Sequence, residues 1–148
     1  MTYRVLVTGA DAPAGRSMIA ALAIEPVTLL ACDHRCSEAS AVLGVHCFDV
    51  HRSDHREFVG DVLTLCAVQH VDVVVPARAS DQIALAPARM LFEELGASMW
   101  LEPIPEHATR SQVRRIVQLA THTRGRWTMG TWIKRLSHLG SPESHDRV

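Results

Sequence analysis

The amino-acid sequence predicts an α/β fold in which a doubly wound, mainly parallel sheet of about five strands forms a single domain. Short apolar runs alternate along the 148 residues with segments whose apolar side chains recur at helical spacing, which is the pattern of βαβ units. The run Val71–Pro76 is rich in valine, as expected for a parallel strand that is buried on both faces. A loop with a glycine near each end joins the first apolar run to the first helical segment.

The first half of the chain contains three of the predicted strands. Arg4–Val7 is the first apolar run, and a helix follows it from Ser17 to Leu22. Val27–Cys32 is a second strand, and His46–Val50 is a third and shorter one. Between these two strands, residues 38–43 are expected to form a short helical or irregular stretch.

The second half of the chain alternates in the same way. Asp54 is a suitable N-cap for a helix that continues to His70 with a wide apolar stripe. Gly96 is placed to end a helix that begins at Ser80 or Asp81. These features predict three helices, at 54–70, 81–95 and 109–121, and two strands, at 71–76 and 97–101.

The loop between the first strand and the first helix is the candidate binding site. Thr8, Gly9, Asp11 and Gly15 belong to it, and N–H groups at the start of the following helix can receive an anion. A dinucleotide-binding loop has three glycines, whereas this chain has Ala12 at the middle position. The loop therefore predicts a Rossmann-like turn, whose role is either to bind a nucleotide or only to connect strand and helix.

Asp33 ends the second predicted strand, 18 residues after Gly15. An acidic residue at this position binds the ribose in dinucleotide-binding proteins. Carboxylates at strand ends also serve for capping and hydration, so a structural role is the alternative. No cofactor is expected, and ATP or NAD(P) are the candidates if the loop does bind a nucleotide.

Several cysteine and histidine residues invite a metal hypothesis. Cys32, His34 and Cys36 alternate along the chain, and His51 and His55 are four residues apart. Their spacing matches no closed zinc pattern, so no metal site is expected.

Composition and charge place the chain among ordinary globular domains. The net charge is −1, and no apolar run approaches the roughly 18 residues that a membrane span needs. The first residues lead directly into a strand, without the features of a signal peptide. We therefore expect a cytoplasmic protein without a membrane span, in which Cys32, Cys36, Cys47 and Cys66 are reduced.

Three segments of the chain read VLVTGADAPAGRSMIAAL, HVDVVVPARASDQIAL and LFEELGASMWLEPIP, in this order within residues 4–121. They resemble the Rossmann-like N-terminal domain that precedes the ATP-binding domain of carbamoyl-phosphate-synthase-like ATP-grasp ligases. The resemblance implies a pre-ATP-grasp domain that is truncated before the ATP-grasp domain. Gln112 stands where that family has a lysine that helps to hold ATP, so the resemblance also implies that ligase activity is absent.

The loop sequence TGADAPAG at residues 8–15 also resembles the opening of short-chain dehydrogenases. Those enzymes use a Tyr-x-x-x-Lys pair for proton transfer. The only tyrosine of this chain is Tyr3 and the only lysine is Lys134. That chemistry is therefore not encoded here, and we assign no catalytic residue.

Residues 124–148 are predicted to form a basic, tryptophan-containing segment with a disordered tail, outside a domain of residues 1–123. Residues 107–142 carry seven arginine and lysine residues and no acid, whereas residues 1–106 carry 14 acids. A basic and aromatic segment fits an acidic protein surface, which includes the acidic body of this same domain, or a nucleic acid or an anionic membrane surface. A protein partner, most simply a second copy of this chain, is favoured over nucleic acid. The candidate interface residues are Trp127, Trp132, Arg124 and Arg126.

These features together predict a stand-alone pre-ATP-grasp-like domain without ligase activity, which acts in protein interaction, scaffolding or regulation. Two other functions stay open. One is a small nucleotide- or dinucleotide-binding protein that uses the loop at residues 9–15. The other is the N-terminal subunit of a split ATP-grasp ligase.

Overall fold

A computed structural model describes residues 2–36 and 44–125. The strands are β1 (Tyr3–Thr8), β2 (Val27–Asp33), β3 (His46–Asp49), β4 (Val73–Pro76) and β5 (Ser98–Met99). The helices are α1 (Pro13–Leu22), α2 (Phe58–Gln69), α3 (Ala79–Leu85), α4 (Arg89–Glu94) and α5 (Arg110–Gly125), with a 3₁₀ turn at Ala86–Ala88. Within the two described ranges, none of the helices combines the length and the apolar character that crossing a membrane requires.

The sheet has β1 at its centre. All strand pairs are parallel, and the strand order is β3-β2-β1-β4-β5. Val5 of β1 is opposite Leu29 of β2 on one side and Val73 of β4 on the other. The chain adds strands outward from β1 in one direction and then, from β4 onward, in the opposite direction. This order confirms the predicted Rossmann-like, doubly wound α/β fold.

The alternation of side chains along β1 divides the core into two layers. Val5 and Val7 pack with residues of α1 and α5, among them Met18 and Ile116. Leu6 points to the opposite face and packs with residues of α2, α3 and α4. The side chains of these three β1 residues have no exposed surface, as expected for a parallel strand covered by helices on both faces.

The helices differ from their predicted bounds, and two of the differences have a local cause. The single helix predicted at 81–95 is divided into α3 and α4, because Pro87 cannot donate a backbone hydrogen bond within a continuous helix. The helix predicted to begin at Asp54 begins at Phe58 instead. The residues before it form tight turns, in which the N–H of His55 donates to the carbonyl of Arg52 at 2.9 Å.

A buried ion pair joins the end of α5 to the sheet. Asp72 is 0% exposed, and its Oδ2 accepts hydrogen bonds from Nη2 of Arg124 at 2.6 Å and from the N–H of Arg4 at 2.8 Å. Its Oδ1 accepts from Nε of Arg124 at 3.2 Å. The same guanidinium lies 5.3 Å from the ring centroid of Tyr3. These contacts hold the end of α5 beside the amino-terminal ends of β1 and β4.

Several predictions concern residues that the structure does not describe. They are the stretch at 38–43 and the candidate interface residues Arg126, Trp127 and Trp132. Arg124 is described and belongs to α5, which continues through the predicted domain boundary to Gly125. Its role in an interface, and the homodimer itself, stay predictions.

We expect Arg124→Ala to lower the free energy of unfolding by about 3–5 kcal/mol, because it leaves the carboxylate of Asp72 buried without its cation. Arg89→Ala is the matched control. Arg89 forms an exposed ion pair with Glu93, 3.1 Å from nitrogen to oxygen, and its loss should cost less than about 1 kcal/mol. Urea denaturation of the two variants measures the difference, and equal losses would contradict the importance of the buried pair.

Candidate functional site

The loop between β1 and α1 turns at Gly9. Its φ is +68°, in the left-handed region that favours glycine, and its carbonyl oxygen accepts a hydrogen bond from the N–H of Ala12 at 3.0 Å. A Cβ on Gly15 would lie only 2.0 Å from that same oxygen, so α1 approaches the loop too closely for any side chain there. Backbone packing therefore explains both glycines without a ligand.

Asp33 is 5% exposed at the carboxyl end of β2, and both of its oxygens have protein partners. Nη1 and Nη2 of Arg78 donate to its Oδ1 and Oδ2 at 2.9 and 3.1 Å. The backbone N–H groups of His34 and Asp11 donate to the same two oxygens at 2.7 and 2.9 Å. Burial acts to raise the pKa of Asp33, but these hydrogen bonds outweigh it and hold the pKa below its ordinary value. A ribose hydroxyl can reach Asp33 only by displacing one of these donors.

A cavity of about 300 Å³ opens at the carboxyl ends of β1 and β2, beside the start of α3. The direction of strand addition reverses between β1 and β4, and Gly9 and Arg78, which follow these two strands, both line the cavity. Open α/β sheets bind their ligands at such a reversal. The walls are mostly polar. They are formed by Thr8, Gly9, Cys32, Asp33, His34, Val50, His51, Arg52, Ser53, Phe58, Arg78, Ser80 and Asp81.

Asp81, in the first turn of α3, is a second buried carboxylate of this cavity and is 2% exposed. Its Oδ2 accepts a hydrogen bond from the hydroxyl of Thr8 at 2.8 Å. Its Oδ1 has no hydrogen-bond partner in the described part of the chain. Burial raises the pKa of Asp81 above its ordinary value, although the Thr8 hydrogen bond, the charge of Arg78 and the nearby Ser53 hydroxyl act to lower it.

The structure brings three of the five predicted binding residues, Thr8, Gly9 and Asp33, to the cavity wall. Asp11 supports the wall by donating its backbone N–H to Asp33, and Gly15 packs against the loop. Sequence reasoning missed Arg78 and Asp81. Their position in the sequence could have indicated them, because both residues come soon after the buried strand β4. The carboxyl ends of parallel strands form the edge of the sheet where ligands bind.

Cys36 and Cys47 form a disulfide with their Cα atoms 5.8 Å apart, so the expectation that all four cysteines are reduced was wrong. Cys36 follows β2 and Cys47 lies in β3. The parallel pairing of these neighbouring strands brings the two residues together, and their spacing along the chain does not reveal it. Cys32 and Cys66 are buried outside the disulfide.

The cysteine–histidine pattern at 32–36 does not assemble a metal site, because Cys36 is bonded to Cys47. A different group, formed by His51, Glu57 and Asp61, places one ligand atom of each residue within 4.8 Å of the others. Imidazole and carboxylate are donor types that divalent cations accept. Carboxylates at the start of a helix also stabilise it without a cation, so this geometry alone assigns no metal.

Comparison with known proteins supports the fold and assigns the chain to no family. No protein-family model matches the sequence, and no curated protein matches it significantly. Among solved structures, a protein assigned to the short-chain dehydrogenase/reductase family of oxidoreductases from Aeromonas hydrophila matches with a TM-score of 0.51 and 18% identity, over 83% of this chain and 72% of that protein. CurA from Vibrio vulnificus, solved with NADPH, matches with a TM-score of 0.36 and 12% identity, and the match covers 88% of this chain and 47% of CurA.

The resemblance to the pre-ATP-grasp domain was wrong, because the structural match is to a short-chain dehydrogenase/reductase fold. The three quoted segments are strand–loop–helix units, and their apolar strands and glycine turns are needed by any Rossmann-like sheet. Local motifs of this kind therefore do not separate one family with this fold from another.

We expect Gly15→Ala to lower the free energy of unfolding by roughly 1–3 kcal/mol, because the added methyl group would overlap the Gly9 carbonyl and force the backbone apart. Gly60→Ala is the matched control. Gly60 lies in α2, where a Cβ would meet no atom within 4 Å, and alanine there should stabilise the helix by about 0.5–1 kcal/mol. Chemical denaturation gives both values, and a neutral Gly15→Ala would disprove the close contact.

Proposed function

We propose that this chain binds a phosphate-bearing nucleotide in the cavity at the carboxyl ends of β1 and β2. The observation that carries the proposal is the position of a polar cavity at the point where strand addition reverses, since doubly wound sheets bind nucleotides in that crevice. The interaction role predicted from the sequence stays a prediction that rests on the basic segment at 124–148, without the support of the ATP-grasp resemblance. The geometry supports the nucleotide alternative better.

Arg78 is the residue that supports recognition of an anion. Its side chain is 40% exposed, and its bidentate pair with the buried Asp33 fixes the guanidinium at the cavity wall. Two of its five N–H groups donate to Asp33, so others remain to receive a phosphate. The hydrogen bonds with Asp33 raise the pKa of Arg78, so the guanidinium stays protonated and positively charged. Arg52, on the same cavity, is 68% exposed and forms a surface ion pair with Asp54 at 3.7 Å, so Arg78 carries the main positive charge of the site.

The size of the cavity favours a mononucleotide over a dinucleotide. A volume of about 300 Å³ is at the lower end of the range for small-molecule sites. The strands β1, β2 and β3 with their connections correspond to one mononucleotide-binding half of a doubly wound fold. Asp33 is already saturated with donors, so the ribose contact of a dinucleotide-binding protein is not available without a rearrangement.

The proposal covers the binding of a nucleotide and assigns no catalytic activity. The only tyrosine, Tyr3, begins β1 at the opposite end of that strand from Thr8 and the cavity. It therefore cannot serve in proton transfer beside Thr8. The structural match, at 18% identity, supports the fold alone.

Calorimetric titration tests the proposal with ADP, AMP and adenosine. We expect ADP to bind with a micromolar dissociation constant and adenosine to bind at least tenfold more weakly, because adenosine has no phosphate for Arg78. Arg78→Lys keeps a charge beside Asp33 but loses the planar fork, and it should weaken ADP binding by about tenfold, the equivalent of one charged hydrogen bond.

Arg89→Ala is the control for a general loss of positive charge. Arg89 pairs with Glu93 on α4, at 3.1 Å and outside the cavity, so this variant should bind ADP as the wild type does. Wild-type protein that shows no heat of binding with any of the three compounds, or that binds adenosine as tightly as ADP, would refute the proposed phosphate recognition.

A further inference from the structure

His51 lies at the carboxyl end of the sheet, two residues after the end of β3, and lines the cavity. The N–H of the preceding Val50 donates to the carbonyl oxygen of Asp33 at 2.9 Å, so the main chain is still bonded to β2 next to His51. The side chain of His51 is 49% exposed. An accessible imidazole therefore stands at the edge of the sheet where open α/β folds bind their ligands.

Asp61, in the first turn of α2, fixes one edge of the His51 ring. Its Oδ2 accepts a hydrogen bond from the backbone N–H of His51 at 2.9 Å and lies 2.6 Å from Nδ1 of the ring. An ionised carboxylate only accepts hydrogen bonds, so Nδ1 carries the hydrogen of this contact. The second ring nitrogen, Nε2, is on the side of the ring away from Asp61.

His55 covers one face of the same ring. The centroids of the two imidazoles are 4.2 Å apart, and their planes are inclined by 19°. His55 is itself held in place, because its Nδ1 accepts a hydrogen bond from the N–H of Glu57 at 3.0 Å. With one edge against Asp61 and one face against His55, the His51 ring has lost the rotational freedom that exposed side chains keep. A ligand that contacts this ring does not pay the entropy of orienting it.

Nε2 is the nitrogen of His51 that stays open to a ligand. Within residues 2–36 and 44–125, the hydrogen bonds of the ring go to Asp61 alone, through Nδ1. A protonated imidazole donates from Nε2 and carries a positive charge. Arg78 lines the same cavity, so a ligand that contacts both residues has an anionic group with several acceptor oxygens. Phosphate is such a group.

Resting on the proposed nucleotide site, we propose that Nε2–H of protonated His51 donates a hydrogen bond to a phosphate oxygen of the bound nucleotide. Histidine side chains gain their proton between about pH 8 and about pH 5, so the affinity for the nucleotide should rise as the pH falls. A comparison of variants at position 51 isolates this contribution, because the other ionisable groups stay the same. The carboxylates and bases that lie near the His51 ring or line the cavity are Asp33, His34, Arg52, His55, Glu57, Asp61, Arg78 and Asp81.

Two substitutions test the two nitrogens of the ring. His51→Gln places an uncharged amide near the position of Nε2, and His51→Asn places one near the position of Nδ1, beside Asp61. Calorimetric titrations with ADP contain EDTA, which removes any divalent cation from the group of His51, Glu57 and Asp61. At about pH 6 the wild type should bind ADP roughly tenfold more tightly than either variant, the equivalent of one charged hydrogen bond. At about pH 8 the difference should fall below about threefold, because a neutral imidazole has no positive charge.

His107→Gln is the matched control, because it removes an exposed imidazole outside the cavity. It should bind ADP as the wild type does at both pH values. ADP itself gains a proton over this range, and that change affects every variant equally and cancels in the comparison. Adenosine has no phosphate, so the wild type and His51→Gln should bind it with equal affinity.

The failure of this proposal and the failure of the nucleotide site are distinguishable. Wild-type protein that binds ADP with the same affinity as His51→Gln at both pH values overturns the role of His51 but leaves the nucleotide site standing. Wild-type protein that binds no ADP at either pH overturns the nucleotide site, and the role of His51 falls with it.

Thermal unfolding separates a ligand contact from a structural role. His51→Asn keeps a hydrogen-bonding group beside Asp61 and should melt close to the wild type, although it loses the phosphate contact. A large fall in melting temperature for both variants, together with an equal loss of affinity for ADP at both pH values, would make His51 a structural residue and overturn the proposal.

Discussion

Val5, Leu6 and Val7 are completely buried, and the burial of β1 on both faces is the constraint on which the other elements depend. Val5 and Val7 are covered by α1 and α5, whereas Leu6 is covered by α2, α3 and α4 on the opposite face of the sheet. The strand's own N–H and carbonyl groups need β2 and β4 as neighbours, since no water reaches them. Once β1 is placed in this way, Thr8 and the turn at Gly9 can only emerge at the edge of the sheet where the cavity lies.

The two buried carboxylates of the cavity have different surroundings, and this difference separates a structural role from a role in binding a ligand. The pair between Asp33 and Arg78 satisfies a buried carboxylate and lowers its pKa, so it stabilises the junction of β2, the loop and the start of α3. Asp81 has the opposite character, because burial raises its pKa even though the hydroxyls of Thr8 and Ser53 and the charge of Arg78 act to lower it. Proteins commonly accept such a local cost where a site must be ready for a ligand.

The sequence contained enough information for the fold but only for part of the site. Strands could be predicted because a buried parallel strand such as β4 must be apolar along its whole length. Thr8, Gly9 and Asp33 could be found because they end or follow a strand within one local motif. The partner of Asp33 could not, because Arg78 is 45 residues away and meets it only across the sheet. The disulfide was hidden for the same reason, since its pairing depends on which strands are neighbours.

The anchoring of α5 determines where the chain leaves the described domain. Arg124 is held beside Asp72 and Tyr3, and the hydroxyls of Thr123 and Ser98 form a hydrogen bond at 2.5 Å. All of these contacts lie at the amino-terminal ends of the strands, whereas the cavity opens at their carboxyl ends. A fluorescent label attached at the end of α5 would therefore stand on the far side of the sheet, and the entrance of the cavity would stay clear.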